Sequence, residues 1–293
     1  MAAGNSRHSI AGAISDLLAG TPTHPSAVLL EGEPGIGKTT LLRAAAAEAG
    51  ALGFTVLSTT GSVAESMPSY AALADLLAPV DEDLLSLLPA PQRNALSQVR
   101  RPERGAGPTD QRAVAAAFLS TIRALADRTP VLIVIDDLQW LDPSSTAVLS
   151  FAVRRISGPV RVLAAVRSDE VTSARWLTLA WPDAVRTICV PAQTLGAMHA
   201  MIQRRHGHSL PRPALTRIHR ISGGNPFYAL ELSRTVDWIA DPDATLPPTL
   251  AEMVRTRLEG LGADTEAALL IVACATTPTL NWFSAPLRRK SGM

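Results

Sequence analysis

Gly32-Glu33-Pro34-Gly35-Ile36-Gly37-Lys38-Thr39 stands between two stretches of different character. The apolar run Ala27-Val28-Leu29-Leu30 precedes it, and an alanine-rich helical stretch from Thr40 to Ala49 follows. A strand, a glycine loop ending in Gly-Lys-Thr and a helix together make the setting of a phosphate-binding loop. Glycines let the backbone curl with its N–H groups turned in toward phosphate oxygens, and the helix aims the positive end of its dipole at the same anion. The candidate ligand-cradling residues are therefore Gly32, Glu33, Pro34, Gly35, Ile36, Gly37, Lys38, Thr39 and Thr40. Within this set Lys38 is placed to reach β- and γ-phosphates, and the Thr39 hydroxyl to ligate Mg²⁺. A glycine-rich turn without a ligand is the plain alternative.

The totals bound what can surround this loop. With 293 residues, 47% of them hydrophobic and 18% charged, the chain is long enough to bury one large core and a smaller one. A net charge of +1 provides no general field for nucleic acid or an anionic membrane. The two cysteines, Cys189 and Cys274, lie far apart in apolar runs, which predicts buried thiols in a reducing cytosol rather than a disulfide or metal site. Met1 to Ser9 lacks an apolar leader core, and the longest apolar run, Ala267 to Ala275, is too short to span a bilayer. A cytoplasmic chain is expected.

In order, residues 8–20 read as an amphipathic helix, with Ile10, Ile14, Leu17 and Leu18 on one face. Gly53 to Thr60 reads as a second strand, and two or three short helices are expected between Tyr70 and Val99, where Pro79, Pro89 and Pro91 interrupt a helical spacing. Arg100 to Pro108 is a mixed-charge loop, which suits either a basic binding site or a solvated connection.

A helix from about Asp110 to Asp127 leads into Val131-Leu132-Ile133-Val134-Ile135-Asp136-Asp137. A continuous apolar run of this kind suits a central parallel strand covered on both faces, and ligands bind at the C-terminal ends of such strands. Asp136 is then expected to hold Mg²⁺ opposite Thr39, and Asp137 to orient or deprotonate an attacking water. Paired acids at a strand end can instead cap the next helix, although Asp142-Pro143 already looks like that cap and first turn. A strand at Val160 to Val166 brings Arg167 to the same edge of the sheet, where it either faces a γ-phosphate or begins a surface loop. A helix near Trp176 and a strand at Val185 to Val190 complete an expected five-stranded, all-parallel sheet.

From Pro191 the texture becomes helical, with segments at about Leu195 to His206, Pro213 to Ser222, Pro226 to Trp238, Pro248 to Leu261 and Asp264 to Ala275. His206 and His208 have no acid or cysteine at ligand spacing, which favours a polar loop over a metal site. Gly223-Gly224-Asn225-Pro226-Phe227-Tyr228 ends one helix and starts the next. The same turn could also press Pro226 against a purine.

Three stretches together carry a family resemblance: Gly32 to Thr40, Val134-Ile135-Asp136-Asp137-Leu138-Gln139-Trp140-Leu141-Asp142-Pro143-Ser144-Ser145, and Gly223 to Tyr228. From about residue 9 to 276 the chain resembles the ATPase module of large bacterial LuxR-type transcriptional regulators, in the signal-transduction (STAND) branch of AAA+-related P-loop ATPases. The resemblance implies an ATP/ADP switch. Lys38 and Thr39 would act on phosphate and Mg²⁺, Asp136 and Asp137 as the Walker B pair, Arg167 as γ-phosphate sensor, and Pro226 beside adenine and ribose. Asn5-Ser6-Arg7-His8 stands where this module usually opens with Gly-Arg-Glu/Asp. The implied organisation is a P-loop ATPase domain over residues 1–191, a helical lid over 192–240 and a partial winged-helix region with a truncated tail over 241–293. Full-length relatives continue into sensor repeats and a C-terminal helix-turn-helix.

The expected function is that of a nucleotide-dependent switch in transcriptional regulation, a weak ATPase whose small-molecule partners are ATP, ADP and Mg²⁺. A regulatory protein or a second copy of the chain is the expected macromolecular partner, without membrane or direct DNA contact. A faster AAA+-type ATPase and a non-hydrolysing remnant acting as an interaction module are the alternatives. Turnover well above the roughly 10⁻² s⁻¹ of a GTPase with its arginine in cis marks the first, and no thermal response to Mg-ATP the second.

Overall fold

The computed structural model describes residues 7–19, 24–62, 69–101, 110–180, 184–234 and 265. In chain order the elements begin with α1 (Arg7–Ala19), β1 (Ser26–Gly32), α2 (Lys38–Ala51) and β2 (Thr55–Thr60). Three short helices follow, α3 (Ala71–Leu77), α4 (Glu82–Ser86) and α5 (Ala90–Arg100). Then come α6 (Gln111–Ala126), β3 (Val131–Asp136), α7 (Pro143–Val153), β4 (Val160–Arg167) and β5 (Val185–Cys189). The last described helices are α8 (Leu195–His206), α9 (Arg212–Ser222) and α10 (Pro226–Ser233).

The five strands form one sheet in the order β2-β3-β4-β1-β5, and each neighbouring pair is parallel. This is the α/β, P-loop NTPase-like fold expected from the sequence, followed by a helical region. Alternation along each strand divides the interior into two layers. Ala27 and Leu29 of β1, Ile133 and Ile135 of β3, and Val162, Ala164 and Val166 of β4 face a core completed by α3, α5, α6 and α7. Val28 and Leu30, Leu132 and Val134, and Leu163 and Ala165 face the opposite core, with α1 and α2 over it. All six residues of β3 are buried, as its unbroken apolar run requires.

Several junctions carry the expected chemistry. Asp110 caps α6, its side chain accepting from the N–H groups of Arg112 and Ala113. Asp142 caps α7 through the N–H of Ser145 at 2.8 Å, and Pro143 opens the helix. The same Asp142 carboxylate accepts from the N–H groups of Tyr70 at 2.8 Å and Ala72 at 3.3 Å, while the Ser145 hydroxyl accepts from Leu73 N at 3.0 Å. The N-terminus of α3 is thus satisfied by side chains of α7 and its cap. Arg161 is buried at the start of β4 and donates through Nε to the Leu17 carbonyl at 2.8 Å and through Nη1 to His24 O at 2.9 Å, tying the end of α1 to the sheet.

Two expectations are corrected. Near Trp176 there is a 3-10 turn at Val171–Ala174 in place of a helix. Its residues, Val-Thr-Ser-Ala, include two β-branched side chains and a serine that favours turns, so a single turn forms without propagating. Cys189 is exposed, because β5 is an edge strand with only Ile188 of its five residues buried. Cys274 lies outside the described residues.

Boundaries shift slightly elsewhere. The helix after the loop begins at Lys38 itself, and β3 ends at Asp136, with Asp137 already in a left-handed conformation at φ 47°. The helical segments expected beyond Ser233, the partial winged-helix region of 241–293 and residues 102–108 of the charged loop lie outside the described residues, apart from Thr265. By contact the chain divides into two units, one of Met1–Met198 with Gly223–Phe227 and one of His199–Ser222 with Tyr228–Met293. Within the second unit, α9 buries Ala214, Leu215 and Ile218 along one stripe and keeps its basic residues off it, and His206 Nε2 lies 2.8 Å from the Ser233 hydroxyl. Among the described residues no helix is long and apolar enough to cross a membrane.

Candidate functional site

Three strand ends converge on one edge of the sheet. In the register of β1 and β4, Gly32 pairs with Arg167, and the N–H of Ser168 donates to Gly32 O at 3.3 Å. On the other side of β4 lies β3, which ends in Asp136. Arg167 therefore leaves the sheet between the glycine loop and the paired acids.

The loop has the backbone its sequence calls for. Gly35 at φ 77° and Gly37 at φ 101° occupy left-handed conformations, the second as the residue preceding α2. Ile36 N donates to Glu33 O at 3.2 Å and closes the turn. A side chain at Gly35 would be strained and would place its Cβ 2.7 Å from the Phe227 Cβ and 3.0 Å from Asn225 Oδ1.

Lys38 is buried, and its ammonium donates to the carbonyls of Gly32 at 2.7 Å and Glu33 at 3.0 Å. Burial lowers its pKa, against the attraction of Asp137 and Asp136, which favours the charged form. Asp136 is also buried, and burial raises its pKa. Its stabilising partners are the Thr39 hydroxyl and the N–H of Asp137, which donates to Oδ1 at 3.0 Å. The α2 hydroxyl and the β3 carboxylate thus lie near one another. Two hard oxygen donors at a dry strand end, with anion-binding amides beside them, fit a divalent cation shared with phosphate oxygens.

Asp137 sits in a turn built by close approach. Its left-handed backbone opens the 3-10 turn Leu138–Trp140, and a Cβ on Gly61 would collide with the Asp137 carbonyl oxygen. Only a glycine lets the end of β2 pass there. The side-chain amide of Gln139 donates to Asp137 Oδ1 at 2.8 Å, and its Oε1 accepts from the N–H of Arg167 at 3.3 Å. The Arg167 guanidinium carbon lies 5.6 Å from the centre of the Trp140 ring, within cation–π range.

Sequence reading named Asp137 and Arg167 but missed Gln139, which joins them. It also named Pro226 in the Gly-Gly-Asn-Pro turn, where the side chain on the loop belongs to Asn225. Its Nδ2 donates to Pro34 O at 3.0 Å, and the N–H of Phe227 is shared between Asn225 Oδ1 at 3.1 Å and Gly35 O at 3.3 Å. Position alone could have flagged Asn225, since asparagine before Pro at a helix start is a preferred cap. Its long-range bond has no local signal.

The arrangement offers a glycine loop opening a helix, a buried ammonium, a hydroxyl near a carboxylate, a second carboxylate and a guanidinium along one edge. In chemical terms such groups have the means to receive a polyanion, a divalent cation and a placed water. Pro226 opens α10 in the turn that contacts Pro34 and Gly35.

The chain is similar to several known proteins. Over 299 aligned positions the chain is 25% identical to an uncharacterized protein of Rhizobium meliloti (strain 1021), an alignment that takes in 89% of this chain and 28% of that protein's length. Among solved structures it is similar to the ORC1 protein of Aeropyrum pernix in complex with DNA, with 18% identity, 91% of this chain and 70% of that one covered, and a TM-score of 0.48. A STAND protein with a tetratricopeptide repeat sensor from Pyrococcus horikoshii is 14% identical, covering 94% of this chain and 35% of that one, with a TM-score of 0.44. A RuvB variant of Thermotoga maritima is 18% identical, covering 80% and 61%, with a TM-score of 0.44. The family model of the AAA ATPase domain matches residues 7–165, more than half of the chain, and the chain belongs to that family.

Proposed function

We propose that this chain is an ATP-binding, slowly hydrolysing module that uses the bound nucleotide as a switch in signal-dependent transcriptional regulation. The observation that carries the reading is the meeting of β1, β3 and β4 at one edge, with Asp136, Asp137 and Arg167 at or just beyond strand ends and Lys38 and Thr39 at the start of α2 beside them. Residues 32–40 surround the phosphates through backbone amides. Lys38 exchanges its two carbonyl partners for β- and γ-phosphate oxygens, an exchange favoured because a buried ammonium gains more from anions than from neutral carbonyls. Thr39 and Asp136 would hold Mg²⁺, whose charge offsets that of the phosphates.

Asp137 orients the attacking water or takes its proton, and Arg167 stabilises charge on the γ-phosphate from the neighbouring strand. Pro226 packs near the adenine and ribose. Slow turnover and the transcriptional setting rest on the resemblance of the three motifs to LuxR-type STAND regulators, in which a helical lid over residues 192–240 and winged-helix residues from 241 onward would respond to ATP or ADP. The chain spans 28% of the length of its Rhizobium relative, so sensing and output belong to the same proposal.

Thermal unfolding with Mg-ADP and Mg-ATP, on the wild type and on Lys38→Ala, tests the site, and phosphate release on the same samples tests the rate. Saturation at a hundred times Kd should stabilise the wild type by about 2.7 kcal/mol and the variant by far less. Release should fall at or below roughly 10⁻² s⁻¹. A wild type whose midpoint ignores both nucleotides overturns the reading.

A further inference from the structure

We infer that Asn225 is part of the phosphate-binding machinery: a positioning residue that holds the outer side of the glycine loop in its phosphate-receiving shape, separately from any contact with the nucleoside. The inference rests on the nucleotide-binding reading of residues 32–40 and adds a residue outside the 7–165 span of the family match.

A loop that turns its amides inward to grip an anion turns its carbonyls outward, and outward carbonyls shielded from water need donors. Two consecutive carbonyls at the tip of this loop receive them from one turn. Pro34 O accepts from Asn225 Nδ2 at 3.0 Å, and Gly35 O accepts from Phe227 N at 3.3 Å. Asn225 is only 2% exposed, so its amide has little water to fall back on. Its Oδ1 meanwhile accepts from Phe227 N at 3.1 Å, which caps α10 and aims the same N–H at Gly35.

The turn is itself held from behind. Gln193 N donates to Gly224 O at 2.8 Å, and a Cβ at Gly224, whose φ is 78°, would lie 2.7 Å from Gln193 O. On the loop side, packing at Gly35 leaves no room for a Cβ between the two segments. Both ends of the contact are therefore constrained, and the amide of Asn225 is a side-chain link between them. A loop released from this link would spend part of its time with Pro34 and Gly35 rotated, and every phosphate-bearing ligand would meet a smaller receptive fraction.

Asn225→Ser separates this role from ordinary helix capping. Serine retains an oxygen that can accept from Phe227 N, but it is too short to reach Pro34 O. Affinities for Mg-ATP and for Mg-tripolyphosphate, which lacks the nucleoside, are measured on the wild type, Asn225→Ser and Lys38→Ala, with the ligand-free unfolding midpoint as a folding control. The expected result is an about 5- to 10-fold loss in Asn225→Ser, equal for both ligands, with a cooperative unfolding transition retained and its midpoint lowered by the loss of one buried hydrogen bond. Wild-type affinity for both ligands would make Asn225 a helix cap alone and overturn the inference. Loss for ATP with none for tripolyphosphate, or a wild type that answers ATP but not tripolyphosphate, would assign the effect to the nucleoside side and overturn it too. Should Asn225→Ser unfold, Asn225→Asp, which keeps the cap and replaces the donor with an acceptor, takes its place, with the same two-ligand comparison deciding. Unchanged affinity in Lys38→Ala would instead bring down the nucleotide-binding reading, an outcome distinct from any failure at Asn225.

Discussion

Asp136 and Asp142 belong to one short motif and are 5% and 1% exposed, yet their carboxylates are satisfied in different ways. Asp142 accepts from three backbone N–H groups, those of Tyr70, Ala72 and Ser145, and so joins the starts of α3 and α7. Asp136 has one neighbouring N–H and the Thr39 hydroxyl, and burial raises its pKa despite them. A carboxylate with its full set of amide donors is a structural joint. One that keeps acceptor capacity at a strand end, next to a buried lysine, can still accept a positively charged partner, as the proposed Mg²⁺ site requires.

The comparison is most directly broken at Asp142. Asp142→Ala strips three buried N–H groups of their acceptor and removes a helix cap, and should lower unfolding free energy by about 3 kcal/mol, read by urea denaturation without ligand. A loss under about 1 kcal/mol would deny Asp142 its role as a joint. The opposite profile is expected of Asp136→Asn. Ligand-free stability should stay within about 0.5 kcal/mol or rise, since a poorly solvated charge is removed. Mg²⁺-dependent phosphate release should fall by about 100-fold or more, on the scale of losing one group that stabilises charge in the transition state. Equal destabilisation by the two substitutions would erase the distinction between them.

Gln139 sharpens the same comparison by asking how far the chemistry extends beyond the acids. Because its amide restrains Asp137 and meets the backbone of Arg167, Gln139→Ala should reduce turnover by about 10-fold, on the order of 1.4 kcal/mol, with nucleotide affinity unchanged. An equal change in KM and none in kcat would place Gln139 in binding instead.

Much of this was legible in the residues. The apolar run of β3, the Asp142-Pro143 cap and the glycine loop each announce themselves through local pattern, because burial on two faces, helix capping and positive φ each demand particular residue types at neighbouring positions. The exposure of Cys189 was not legible, since an apolar run reads alike in a central strand and in an edge strand. Nor was the left-handed turn at Asp137, which depends on Gly61 arriving from β2 to make space.

The order of the strands, β2-β3-β4-β1-β5, accounts for the rest. Sequence by itself determined that there would be a phosphate-type loop, a buried strand ending in two acids, and parallel strands between helices, because each is written in contiguous residues with a period or a spacing. Tertiary structure alone decided that Arg167 would lie across from Gly32, that Gln139 would join Asp137 to Arg167, that Asp142 would cap a helix some seventy residues before it, and that Asn225 would reach Pro34 across 191 positions of chain. Those contacts use ordinary polar groups whose local patterns are equally satisfied by water or by a neighbouring turn. Only packing, by excluding water and presenting one particular partner, selects among the alternatives.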